Sequence, residues 1–284
     1  MRQSIKQLLQ RANKIIPPLE SEILLSSILK KPREYMLTHS DARVGYLKSY
    51  RFNNFVKKRN LGVPIAYLIG HKEFYGLDFE VNKYTLIPRP DTEILVENTI
   101  SHISKNDTLI DVGTGSGCIA ISVLKKKKNT AYAIDISKRA LTVAKKNARL
   151  HGVKINFLHG NLLQPLKHKN IKTLKHIIIT ANLPYLTKKQ FSSEPSIQYE
   201  PKSALVADKQ GLALYEALLN QIKSISTSYK LQATSYLEID PSQTSEITLL
   251  IQKIFPEVKI EIKKDLAGHN RLVIFTLTQT KKNV

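Results

Sequence analysis

Cysteine is nearly absent from this 284-residue chain, and the single copy, Cys118, excludes any intramolecular disulfide. A small, cross-linked secreted scaffold is therefore ruled out. Long apolar runs are also missing: no stretch approaches the roughly 18 residues of a membrane-spanning helix. The opening, MRQSIKQLLQRANKIIPPLE, interrupts its apolar residues with charge too often for the core of a signal peptide. No membrane association and a cytoplasmic location are the expectations. The eight histidines show no HExxH or paired spacing, and without a second cysteine no metal site is expected. Acidic residues are scarce, with 23 Asp and Glu against 44 Lys and Arg, a formal net charge of +21. Such a surplus fits attraction to nucleic acid or to an acidic protein, and a Lys-heavy composition accounts for it equally well. Its density is greatest in residues 1–74, which hold 14 basic and 5 acidic side chains. Hydrophobic residues at 42% and charged residues at 24% lie near a globular average, so a packed core is expected, in one large domain or two.

Residues 1 to about 60 read as helical. Ile5, Leu8, Leu9, Ala12, Ile15 and Ile16 recur at helical spacing, Pro17 and Pro18 end that helix and open the next, and Leu24, Leu25, Ile28 and Leu29 form a second stripe. A third helix is predicted from about Asp41 to Arg59, with Ser40-Asp41 as its cap and Tyr46, Leu47, Tyr50, Phe52 and Phe55 as its apolar residues. Residues 73–87 alternate apolar and polar around Gly76, as a hairpin does. From Thr108 strands alternate with helices, which predicts a doubly wound, largely parallel sheet. Segments near 236–239, 258–262 and 272–277 complete it, the last of them antiparallel. The expected class is α/β: a helical bundle over 1–72, a β-hairpin connector over 73–90, and a seven-stranded Rossmann-like sheet over 91–284.

Two loops carry chemistry. Asp111-Val112-Gly113-Thr114-Gly115-Ser116-Gly117 lies where the first strand of that sheet turns into a helix, so its glycines admit a ligand to the backbone and to the helix N-terminus. The spacing is G-x-G-x-G, with Cys118 where a dinucleotide fingerprint needs its third glycine, which argues against NAD. Asp135 closes the next strand, where a carboxylate can accept from both hydroxyls of a ribose. Loop and acid together imply an adenosine cofactor with no pyrophosphate to cradle, and S-adenosylmethionine fits. The second loop, Asn182-Leu183-Pro184-Tyr185, follows the apolar strand ending at Thr180. An Asn side-chain oxygen and a main-chain carbonyl can each accept one hydrogen of a planar NH2 group, holding the nitrogen toward a methyl donor and stabilising the charge that grows on it. Pro184 stiffens the turn, and Tyr185 offers a ring face.

These motifs, with Gly62-Val63-Pro64-Ile65-Ala66-Tyr67-Leu68-Ile69-Gly70, Glu73-Phe74-Tyr75-Gly76, Leu86-Ile87-Pro88-Arg89-Pro90-Asp91-Thr92-Glu93, Tyr199-Glu200-Pro201, Ser203-Ala204-Leu205 and Asp265-Leu266-Ala267-Gly268 with Arg271, resemble those of the bacterial release factor glutamine methyltransferases over about residues 60–275. The resemblance implies N5-methylation of the glutamine in the Gly-Gly-Gln loop of peptide chain release factors, with the helical bundle gripping the factor. It further implies that Gly113, Thr114, Gly115, Ser116, Gly117, Asp135, Asn161, Leu162 and Asn182 hold S-adenosylmethionine. By the same resemblance Asn182, Leu183, Pro184 and Tyr185 hold the amide, and Arg89, Pro90, Thr92 and Glu93 line the approach. A monomer is expected, with no required nucleic-acid contact. Three positions depart from the family pattern: Leu183 for a proline, Asn161 for an aspartate, and Asp240 for a glycine. Asn-Leu-Pro-Tyr also resembles RNA adenine-N6 dimethyltransferases, which with the +21 charge makes that activity the alternative. The connector motif and the N-terminal placement of the helices stand against it. A silent binding module is a third reading, opposed by the presence of Asn182, Tyr185 and Asp135. Cys118 is expected to be a packing residue, and Glu93 is read equally as a pin for the hinge and as a contact for the glutamine.

Overall fold

The computed structural model describes residues 2–168, 171 and 174–278. These fall into two compact units, one within Met1–His71 together with Pro195–Tyr199, the other within Lys72–Glu194 and Glu200–Val284. Met1 and residues 279–284, which the sequence reading assigned to the first and last domains, lie outside the described residues.

The helical unit contains α1 (Ile5–Ala12), α2 (Pro18–Leu29), α3 (Arg33–Thr38), α4 (Tyr46–Asn60) and α5 (Ile65–Ile69). Ser4 and Gln7 form a reciprocal cap on α1: the Ser4 hydroxyl accepts from the Gln7 N–H and the Gln7 side chain accepts from the Ser4 N–H. Leu8, Leu24, Leu25, Met36 and Phe52 are buried at its centre. Arg59, in the last turn of α4, makes a two-pronged ion pair with Glu20 of α2, at 2.7 and 2.8 Å. The third predicted helix begins later than its sequence implied, at Tyr46 rather than Asp41. Residues 42–44 are held extended instead, because Ile5 donates to the Ala42 carbonyl, Val44 donates to that of Gln3, and Ser4 bridges Arg43. Gly45 becomes the cap. With that start, Phe52, Phe55 and Val56 enter the core, while Tyr46, Leu47 and Tyr50 face solvent at 76, 81 and 66% exposure. The sequence singles out no separate helix at α3 or α5, although α3 falls within the span read as helical. Pro195–Tyr199, placed by the sequence reading in the last domain, joins this unit through the Tyr199 hydroxyl, which donates to the Leu61 carbonyl.

The second unit opens with a hairpin, β1 (His71–Phe74) and β2 (Leu77–Glu80). Its two turn residues, Tyr75 and Gly76, both have positive φ, 52° and 70°, the backbone that a tight hairpin of right-twisted strands requires. Phe74 and Phe79 are fully buried against the main core. The rest runs α6 (Glu93–His102), β3 (Thr108–Val112), α7 (Cys118–Lys126), β4 (Thr130–Asp135), α8 (Lys138–Leu150), β5 (Asn156–His159), β6 (His176–Ala181), α9 (Lys188–Ser193), α10 (Ala213–Tyr229), β7 (Gln232–Glu238), α11 (Thr244–Ile254), β8 (Ile260–Lys264) and β9 (Asn270–Leu277). Seven strands form one sheet in the order β5-β4-β3-β6-β7-β9-β8. Six run in one direction, and β9 runs antiparallel between β7 and β8, as its β-branched sequence close to the end of the chain suggested.

Alternation along the strands sorts side chains to two faces. Ile110, Val112, Ile177, Ile179 and Ala181 pack against α10 and α11, while Leu109 and Ile178 pack against α6 and α7. The sheet is therefore covered on both sides, as a doubly wound fold requires. From β3 the chain winds outward through β4 and β5, then returns to place β6 on the other side of β3. Strand direction of winding reverses at that pair, and loops leaving the carboxyl ends of β3 and β6 separate to leave a crevice.

Candidate functional site

The glycine loop leaves β3 and the Asn182 tetrapeptide leaves β6, so the two flank the reversal point. Gly113, Gly115 and Gly117 take positive φ of 73°, 56° and 83°, which L side chains rarely adopt. A side chain on Gly113 would also press on Leu183, 3.0 Å from its Cδ2. The loop is tied down from below. Gly113 and Thr114 donate to the Ile134 carbonyl, and Asn147 of α8 donates to the carbonyls of Ser116 and Glu80, joining the loop to the hairpin. Asp111 and Thr180 are register partners on β3 and β6. The Asp111 carboxylate accepts from the Thr180 and Thr114 hydroxyls at 2.8 and 2.6 Å, and burial pushes its pKa up to about 6 against those hydrogen bonds.

A cavity of about 360 Å³ opens between the loops, lined by Gly113 to Ser116, Asp135, Asn161, Leu162, Asn182, Leu183 and Pro184, with Arg89 and Thr92. Twelve positions that the sequence picked out thus meet on one wall or another. Gly117 is not on the wall. It caps α7, and a Cβ there would stand 2.9 Å from Ile121 and 3.3 Å from Ala144, so it sets helix packing. Tyr185, Pro90 and Glu93 are likewise off the cavity wall. The Tyr185 ring packs on the core, where burial raises its pKa. Glu93 accepts from the Tyr75 N–H at 2.9 Å and so holds the hairpin turn. Cys118 is buried, its thiol pushed up to about 12 by burial.

Asp135 stands at the end of β4 with one carboxylate oxygen accepting from the Gly115 N–H, 2.9 Å, and the other from the Ser137 N–H, 2.8 Å. Burial raises its pKa, and the two backbone donors and His159 oppose that. A carboxylate has about four acceptor positions, so acceptor capacity remains for a diol. The neighbouring Ile136, 66% exposed on the cavity rim, offers an apolar face that suits a flat base. Leu162 adopts a positive φ of 51° and adds a second apolar surface. The fit to an adenosine-bearing cofactor rests on this acid, these apolar walls and the cavity volume.

The tetrapeptide is braced at three of its four residues. Asn182 donates its amide to the Thr92 hydroxyl at 3.1 Å. The Leu183 N–H donates to the Tyr215 hydroxyl, which itself donates to the Glu238 carbonyl. The Tyr185 carbonyl accepts from Gln243, at 3.0 Å. Arg89 is fixed by an ion pair to the buried carboxylate of Glu200, which also accepts from the Ile87 N–H. Sequence reasoning quoted Glu200 only as part of a motif and missed Tyr215, Gln243, Glu238 and Ile136 as site components. An acid closing an otherwise uncharged, buried strand, as Glu238 closes β7, was the available signal. Asp240, where a glycine was expected, has an ordinary φ of −71° and caps the next turn by accepting from the Ser242 N–H.

Among the described residues no helix is long and apolar enough to cross a membrane, and no cluster of three or more His, Cys, Asp or Glu could hold a metal ion. Two family models match, a Methyltransferase small domain over residues 90–193 and a PrmC N-terminal domain over residues 1–70. In fold, the chain is similar to the catalytic domain of hMettl16 solved with an RNA hairpin, with TM-score 0.54 and 14% identity over 91% of this chain and 92% of that one. A release factor glutamine methyltransferase from Enterococcus faecalis is 41% identical over 74% of this chain and 75% of its own length. One from Staphylococcus aureus is 33% identical over 90% of this chain and 91% of its own. With its seven-stranded methyltransferase sheet and both loops in place, the chain belongs to the release factor glutamine methyltransferase family.

Proposed function

We propose that the chain transfers a methyl group from S-adenosylmethionine to the side-chain amide nitrogen, N5, of the glutamine in the Gly-Gly-Gln loop of peptide chain release factors, in the cytoplasm and in support of translation termination. The observation that carries this reading is one cavity shared by a glycine loop with its acid and by an amide-accepting tetrapeptide. Asp135 would accept from the ribose hydroxyls, the backbone of Gly113 to Ser116 would face the amino-acid portion, and Ile136, Leu162 and Asn161 would border the adenine. Once bound, S-adenosylmethionine supplies a methyl group on a positively charged sulfur.

The remaining work falls to the protein. An amide nitrogen is a poor nucleophile because its lone pair is delocalised into the carbonyl. The Asn182 Oδ1 and the Leu183 carbonyl would each accept one N–H, fixing the nitrogen with its lone-pair face into the cavity and stabilising the positive charge that develops there. No base is needed before attack, since the proton leaves after the methyl has arrived. Leucine at position 183 supplies the same main-chain carbonyl that a proline would. Tyr185 would act as a prop beneath the tetrapeptide, and Arg89 and Thr92 would face the incoming loop while Pro90 and Glu93 shape the connector. The helical unit would dock the factor, supported by its exposed Tyr46, Leu47 and Tyr50 and by its dense positive charge. One copy of the chain carries every residue in this scheme, so a monomer suffices.

Incubation with methyl-labelled S-adenosylmethionine, offered release factor, the same factor with its Gly-Gly-Gln glutamine changed to alanine, and ribosomal RNA, tests the reading. Label is expected in the unaltered factor alone. Label in the RNA, or in the factor lacking the glutamine, would overturn it.

A further inference from the structure

Glu238 is 1% exposed at the carboxyl end of β7, and one of its carboxylate oxygens, Oε2, has no hydrogen-bond partner. Leaving a buried carboxylate incompletely satisfied is costly, on the order of several kcal/mol, so its retention calls for a use. Its position supplies one. The Thr92 hydroxyl and the Asn182 amide lie against the carboxylate and favour its charged form. Asn182 also donates to Thr92, itself 3% exposed. The main chain of the same residue braces the tetrapeptide a second time, through the Tyr215 hydroxyl to the Leu183 N–H.

An asparagine amide can turn over and exchange its oxygen for its NH2 at little intrinsic cost, and only one orientation accepts an N–H from a substrate amide. A carboxylate accepts and cannot donate. An ionised Glu238 therefore compels the NH2 of Asn182 to face it and leaves Oδ1 for the cavity. A protonated Glu238 can donate, and so permits the reversed amide, which would present two N–H groups to two N–H groups. We infer that Glu238, together with Thr92, is a positioning residue that locks the Asn182 amide in its accepting orientation, and that methyl transfer requires Glu238 ionised. This rests on the glutamine reading of the cavity.

The titration is set within the fold. Burial raises the Glu238 pKa to about 7, against Thr92, Arg271 and Asn182, while Asp91 adds to the rise. Arg271 comes from β9 and is bound to Asp265 and Asp91. Tyr185, Tyr215 and Cys118 also feel the Glu238 charge, but burial raises all three, so they stay neutral through this range. Asp240 lies near Tyr185 on the same side. Asp111, pushed up to about 6, and Asp135, also raised by burial, are the acids at the glycine-loop end of the cavity.

The test is the pH dependence of kcat on release factor at saturating S-adenosylmethionine, for the unaltered chain, E238Q and E238A, with cofactor affinity and melting temperature measured on each. The unaltered chain should lose activity toward low pH with a midpoint near 7 and a limiting slope of about tenfold per pH unit. E238Q carries an NH2 that can donate, as the protonated acid does, so it should lose the pH limb and show at every pH the lowered activity of that protonated form, at least about tenfold below the unaltered chain at high pH. E238A should fall by on the order of a hundredfold at every pH while binding S-adenosylmethionine with an affinity within about twofold. An acid limb that persists unchanged in E238Q, or E238A activity within about threefold of the unaltered chain, would overturn the assignment. Failure of the unaltered chain to label the factor would instead sink the glutamine reading, and this assignment with it.

Discussion

At the scale of single residues, the cavity separates two jobs that can be broken independently. Asp135, proposed for the ribose, and Asn182, proposed for the amide, line it from loops that leave different strands. Asn182→Ala removes one of two fixed acceptors for the glutamine amide and should lower kcat by about 10²- to 10³-fold, the size of a lost oxyanion-type contact, with cofactor affinity nearly unchanged. Asp135→Ala should do the opposite, weakening S-adenosylmethionine about tenfold or more through two lost hydroxyl contacts. Calorimetric titration of the cofactor alongside single-turnover kinetics reads both. An Asp135→Ala protein with an unaltered dissociation constant would remove the acid from the ribose role, and strong residual turnover in Asn182→Ala would remove the amide-orienting one.

At the scale of elements, support for the tetrapeptide comes from segments far away in sequence, and Gly211 shows how tightly. Its φ is +88°, and a Cβ would fall 1.9 Å from the Tyr185 carbonyl and 2.4 Å from the Gln243 amide. Gly211→Ala must therefore displace the Tyr185 carbonyl or its partner, at a cost of about 2 kcal/mol or more from overpacking and the left-handed backbone. A melting temperature lower by roughly 4 to 8 °C, accompanied by reduced kcat, is expected; unchanged values for both would mean that the turn relaxes freely and does not brace the site. The same element shows where sequence was legible. The glycine loop, Asp135 and the tetrapeptide are short, local patterns at strand ends, and each could be read from its own neighbours. Glu238, Tyr215 and Gln243 reach the site only through the pairing of β6 with β7 and the packing of α10, which no local spacing encodes. The misplaced start of α4 has the same cause. Ser40-Asp41 is a reasonable cap locally, but hydrogen bonds to Gln3, Ser4 and Ile5, about forty residues earlier, hold that stretch extended.

At the scale of the whole molecule, the charge of +21 has to be given a use or dismissed. Methyl transfer to a neutral amide gains nothing from distant lysines, because solvent and salt screen exposed charges over about 10 Å at 0.1 M ionic strength. Their reach suits the encounter with a macromolecule, where many weak contacts sum and association speeds up at low salt. The exposed Tyr46, Leu47 and Tyr50 of α4 offer the apolar contact that charge alone lacks, and at 66 to 81% exposure they contribute little to folding. Raising salt from about 50 to about 300 mM should increase KM for release factor severalfold while leaving KM for a short Gly-Gly-Gln peptide within about twofold. Combining Tyr46→Ser, Leu47→Ser and Tyr50→Ser should raise KM for the factor by about tenfold, leave the peptide untouched, and change stability by no more than about 0.5 kcal/mol per site. Steady-state kinetics on the two substrates separates the cases. Equal salt responses would assign the surplus to composition, and equal losses in the triple variant would mean that this face of α4 serves catalysis rather than docking.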